Sequence, residues 1–127
     1  MTAARLIGVG ALLLMVAVGA GAFGAHGLRG RLDAYALQIY EKAVFYQITH
    51  ALGIILVGVI AQCGVVSDSV SGRVALMLLV GVLLFSGSLY LLAVTGIRWL
   101  GAITPLGGSA FILAWGYLAL STLVSSK

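Results

Sequence analysis

The chain has 127 residues, of which 62% are hydrophobic and 8% charged, with a formal net charge of +4 and a mean hydropathy of +1.20. Soluble domains carry about a quarter charged residues, so this composition excludes an ordinary soluble globular protein and points to one whose apolar exterior faces lipid. The seven basic residues are scattered between apolar runs, which assigns the positive balance to loops and anionic headgroups rather than to nucleic acid.

Residues 6–23 contain no charge and form the first expected span. Lipid offers no partner to a backbone N–H or C=O, so such a run must be helical. Arg5, the apolar stretch and Ala20-Gly21-Ala22 also fit a signal peptide; we expect the segment to be retained as a span. Its end reads "GAGAFGAHG" from Gly19 to Gly27. The first six letters match Gly-x-Gly-x-x-Gly, and Asp33 and Glu41 follow where a dinucleotide fold would place its ribose-binding acid. That loop needs a strand before it and a parallel sheet around it, and neither is expected here. Small residues four apart, such as Ala17/Gly21 and Gly21/Ala25, instead let membrane helices approach closely. Gly21 and Gly24 are therefore expected to pack helices.

Residues 28–43, "LRGRLDAYALQIYEKA", hold five of the ten charged residues. The stretch from about 31 to 43 reads as an amphipathic helix, lying at the interface or continuing directly into the second span. A straight helix from Arg31 to Cys63 would be about 50 Å long, more than the hydrocarbon thickness. The second span covers residues 44–63 and carries Gln47, Thr49 and His50. Cys63 is the only cysteine, so an internal disulfide and a cysteine metal cluster are excluded.

A polar turn is expected over 64–73, then a third span over 74–94 containing Gly81, Ser86, Gly87 and Ser88. Ser86 and Ser88 are expected to bond neighbouring backbone carbonyls within their own helix. "TGIRWLG" (95–101) reads as a tight hairpin with Trp99 at the membrane interface. The fourth span covers about 100–124, with Thr104 as its cap, Pro105 in its first turn and Gly107 and Gly108 on a packing face. Arg5, Arg73 and Lys127 fall on one side and Arg29, Arg31, Lys42 and Arg98 on the other, too even a balance to orient the chain. The expected fold is all-α: residues 1–127 form one domain of four transmembrane helices in an antiparallel bundle, with the amphipathic segment between the first two.

Intramembrane ionisable groups are costly and direct attention to function. His26 closes span one and His50 lies within span two, near Tyr46 and Gln47. An antiparallel first pair would allow the two histidines to meet. The structural reading makes His26 a helix-end cap and His50 an interhelical hydrogen-bonding group. The competing readings are a proton relay or ligand contact, and a two-His metal or haem site. A metal normally takes three or four ligands, and no metal or cofactor is expected. No Gly-x-Ser-x-Gly and no His-Glu-x-x-His occurs, so no catalytic set is expected.

Four stretches together resemble the DUF423 family of small membrane proteins, which includes the eukaryotic transmembrane protein 256 group. They are "GAFGAHGL" (21–28), "YEKAVFYQITHALGII" (40–55), "FSGSLYLLAVTG" (85–96) and "LGAITPLGG" (100–108), with Trp115 in the last span. The family pattern falls on Gly24, His26, Tyr46, Gln47, His50, Ser86, Ser88, Tyr90, Thr104, Pro105, Gly107 and Gly108. The chain departs from it at Ala114, where a glycine is expected before the tryptophan. The resemblance implies a four-helix integral membrane protein, typically of the bacterial cell membrane, and carries no activity with it.

The leading expectation is a non-enzymatic membrane protein that binds a lipid, another hydrophobic ligand or a partner membrane protein through its glycine-rich faces, the partner including a second copy of itself. The alternative is a small transporter or channel subunit built on His26, Tyr46, Gln47, His50, Ser86, Ser88 and Tyr90. An enzyme acting on a lipid or quinone comes third.

Overall fold

A computed structural model describes residues 1–125; Lys127, counted in the charge balance, lies outside them. Four long helices follow one another: α1 (Ala3–Phe23), α2 (Ala34–Gln62), α3 (Asp68–Thr95) and α4 (Thr104–Ser125). All four, with the helical turns that adjoin them, are long and apolar enough to cross a membrane. There is no strand element among the described residues, so the dinucleotide reading of the glycine motif has no sheet to rest on.

The helix ends follow local chemistry. A π turn, Gly24–Leu28, extends α1, and Gly30 turns the chain with φ of 88°. Asp33 then caps α2 by accepting from Ala36 N at 2.7 Å. Of the two expectations for residues 31–43, direct continuation is the one realised: from Ala34 onward the segment is the start of α2. That helix has 29 residues, about 43 Å at 1.5 Å per residue, so its charged first turns stand beyond the hydrocarbon.

Two boundaries differ from expectation. The polar turn ends early because Ser67 caps α3, accepting from Val70 N at 3.3 Å, so residues 68–73 are helical. Residues 98–102 form a separate 3-10 turn before α4. Thr104 is not the cap of α4: its hydroxyl meets Ser88 Oγ at 2.8 Å. Leu106 N and Gly107 N instead donate to Ile103 O.

The helices pack in sequence, α1 on α2, α2 on α3 and α3 on α4, and the α4 backbone approaches neither α1 nor α2 closely. The two central helices are consequently the more buried and the two outer ones the more lipid-facing. Leu6, Ile54, Val57, Val74, Leu78, Val82, Phe111 and Ala114 form the main core. Close backbone approach sets the α1–α2 spacing: a Cβ on Gly10 would lie 2.8 Å from Ala51 O and 2.5 Å from Ile55 Cγ1. Any side chain at Gly10 would push these helices apart.

Candidate functional site

Apart from Ser71, which donates to Asp68 O at the start of α3, the buried polar residues resolve into two clusters. In the first, Gln47 joins three helices: its amide nitrogen donates to Leu13 O on α1 at 3.0 Å, and Oε1 accepts from the Tyr90 hydroxyl on α3 at 2.8 Å. The Tyr40 ring stands edge-on to Tyr90 with centroids 5.0 Å apart, and its hydroxyl donates to Ala20 O at 2.7 Å. Ser86 reaches out of its own helix and donates to Ala43 O on α2 at 2.8 Å. The expectation of a bond within α3 therefore fails for Ser86, while Ser88 meets it by donating to Phe85 O at 3.0 Å. A hydroxyl has one hydrogen, so Thr104 is the donor to Ser88 and ties α4 to α3.

The second cluster is aromatic and centres on His50. The buried imidazole lies flat on Phe111 of α4, with centroids 3.4 Å apart and planes 7° apart. Its Nδ1 is 2.8 Å from Tyr46 O. The Tyr46 ring stacks on Phe85 at 4.2 Å, and Trp115 tilts against His50 at 6.2 Å. Trp115 fits because Gly53 offers no side chain: a Cβ there would lie 2.8 Å from the indole. Rings thus fill the space between α2 and α4 that their backbones leave open.

The two histidines are not brought together. Gly24 faces Tyr40 and Gly10 faces Ala51, which fixes the register of the α1–α2 pair. His50 lies ten residues along α2 from Tyr40, about 15 Å, while His26 sits beyond Gly24 in the π turn with its side chain exposed. The described residues contain no group of three or more His, Cys, Asp or Glu that could hold a metal ion. Every buried side-chain nitrogen or oxygen among them has a partner. Of the four expected packing glycines, Gly24 lies under the Tyr40 ring and Gly107 against the Phe85 backbone, whereas Gly21 and Gly108 meet their neighbours only at ordinary contact distance. Gly10, Gly53, Gly58 and Gly81 take equally close contacts.

A cavity of about 730 Å³ opens at the end of the bundle where α2 begins and α3 ends. Arg31, Asp33 and Arg98 supply its charges, and Leu32, Ile39 and Leu92 its apolar wall. Among the described residues neither guanidinium has an ion-pair or hydrogen-bond partner. Tyr35 lines the cavity and Trp99 adjoins Arg98; both are exposed, as aromatic side chains at headgroup depth are. Sequence reasoning placed Arg31 at the start of the amphipathic segment and Arg98 in the hairpin, and did not pair them. They are 67 positions apart, and only the antiparallel α2–α3 pairing brings them to one cavity. A second cavity, of about 130 Å³, lies between α1 and α2 beside Gly24 and Tyr40. Neither cavity is lined by His50, Gln47, Ser86 or Ser88.

Comparison with known proteins agrees with this architecture. The family described as "Protein of unknown function (DUF423)" matches residues 20–108. A UPF0382 membrane protein of Staphylococcus haemolyticus is 53% identical over 90% of this chain and 91% of its own length. A UPF0382 membrane protein of Staphylococcus epidermidis is 50% identical over 91% of this chain and 92% of its own. The UPF0382 membrane protein YwdK of Bacillus subtilis is 48% identical over 84% and 86%. No solved structure matches. With four membrane-length helices, a match across most of its length and bacterial membrane-protein relatives, the chain belongs to the DUF423 family of integral membrane proteins.

Proposed function

We propose that this is a non-enzymatic membrane protein that binds lipid, holding a lipid at the headgroup level between the start of α2 and the end of α3. The observation that carries the reading is the cavity of about 730 Å³, whose lining combines two guanidiniums without partners among the described residues and several aliphatic side chains. Its size falls within the few hundred to roughly 1,000 Å³ of small-ligand sites. Its mixed lining suits an amphiphile better than a wholly polar or wholly apolar molecule.

The glycine-rich faces favour this reading over partner binding, because their closest contacts at Gly10, Gly24, Gly58 and Gly107 are made within the chain. A transporter would draw on Gln47, Ser86 and Ser88, and these groups are engaged in hydrogen bonds within the bundle. The test is mass spectrometry of the full chain released from mild detergent, with lipids identified after extraction. A lipid held at defined stoichiometry is expected; protein that emerges free of lipid under conditions that preserve its fold overturns the proposal.

A further inference from the structure

Resting on the lipid-binding reading, we infer the chemical class of the bound lipid: Arg31 and Arg98 grip the phosphate of a glycerophospholipid, and the Ile39–Leu92 wall takes the start of its acyl region. The two guanidiniums approach from different elements, Arg31 from the turn before α2 and Arg98 from the first position of the 3-10 turn after α3. Each is a planar fork suited to bidentate pairing with an oxyanion. The acceptor sites of a carboxylate lie in one plane, whereas the two unesterified oxygens of a phosphodiester sit on a tetrahedral phosphorus and can accept from forks that arrive from two elements out of plane. This favours a phospholipid over a fatty acid.

Asp33 does not cancel both arginines. The cavity keeps one net positive charge from Arg31, Arg98 and Asp33, and Asp33 Oδ1 is already engaged by Ala36 N. The shared chemistry, a phosphate oxyanion, could come from a lipid or from free phosphate. The apolar wall selects the lipid: Leu32 before α2, Ile39 on α2 and Leu92 on α3 line the same cavity as the two arginines and would gain nothing from an inorganic ion. Tyr35 and Trp99, 71% and 66% exposed, fit the depth at which a lipid phosphate lies.

The full chain is incubated with mixed vesicles of phosphatidylglycerol and diacylglycerol, re-extracted gently and weighed by native mass spectrometry. Wild type is expected to retain phosphatidylglycerol over diacylglycerol by about tenfold or more, the scale of one lost charge-assisted contact. The double variant Arg31→Gln/Arg98→Gln is expected to retain the two alike, and Arg31→Lys/Arg98→Lys to recover part of the preference. Both arginines are exposed, so the thermal unfolding of the variants should follow wild type. A wild type without preference, or a Gln double variant that keeps the preference, overturns the phosphate assignment and leaves the lipid reading standing. Release of the lipid by millimolar inorganic phosphate assigns the site to a free anion and overturns the lipid source. A wild type that retains neither lipid sinks the lipid reading itself.

Discussion

The Tyr90 hydroxyl donates to Gln47 Oε1 at 2.8 Å, and the Gln47 amide donates onward to Leu13 O at 3.0 Å. One side chain of α2 therefore fastens both neighbouring helices. Lipid cannot replace either partner, so the connection holds only while all three groups are present.

Tyr90→Phe should destabilise the protein by about 1 kcal/mol, within the roughly 0.6–2 kcal/mol found for interhelical hydrogen bonds in membranes. In a Gln47→Leu background the same change should cost close to nothing, because the acceptor is already gone. A double-mutant cycle read by denaturant unfolding in detergent micelles checks this. Equal costs in both backgrounds would show that the Tyr90–Gln47 bond contributes nothing.

Two glycines on one helix should respond oppositely to the same change. A Cβ at Gly10 would press on Ala51 O and Ile55 Cγ1, whereas at Gly8 nothing lies within 4 Å. Gly10→Ala should cost about 1–3 kcal/mol through forced separation of α1 and α2. Gly8→Ala should be neutral or slightly stabilising. Melting temperatures of the two variants in one detergent provide the comparison.

The flat stack of His50 on Phe111, 3.4 Å between centroids, predicts that the two residues act as one unit. Phe111→Ala should cost about 3 kcal/mol and His50→Ala about 2 kcal/mol, as large-to-small core changes do. The double variant should cost less than both losses together, since each single change already removes the shared contact. Unfolding of the three variants measures this, and full additivity would separate the histidine from the stack.

The four helices were legible because the solvent constrains them. Long uncharged runs such as 6–23 have only one way to satisfy their backbone in lipid, and α1 does run through that stretch. The boundaries were less legible, because Ser67 and Ile103 rather than Thr104 receive the first N–H groups of α3 and α4. Gln47, His50, Ser86, Ser88 and Tyr90 stood out as polar letters in apolar text, but their partners did not. Ser86 bonds Ala43 O and Gln47 bonds Leu13 O, and a backbone carbonyl leaves no mark in a sequence. His26 misled for a related reason: chain order says that α1 and α2 are antiparallel, while their register is set by contacts such as Gly24 with Tyr40 and Gly10 with Ala51. The arginines of the cavity were invisible as a pair because an arginine between two spans of a membrane protein is ordinary.

The shape of the cavity can be tested apart from its charge. Ala36 is half-buried in the lining of the larger cavity, one turn after the Asp33 cap. Ala36→Trp would place an indole in the space while leaving Arg31 and Arg98 in position. Ala25 lines the smaller cavity of about 130 Å³, too confined for a phospholipid, and Ala25→Trp is the matched control. If lipid occupies the larger cavity, Ala36→Trp should lower retained lipid about tenfold or more, the equivalent of losing roughly 1.4 kcal/mol of binding, while Ala25→Trp should retain it as wild type does. Quantifying lipid per protein after identical extraction decides between them. Equal retention by Ala36→Trp and wild type would place the lipid elsewhere on the helices, because an occupied cavity cannot also hold the added ring.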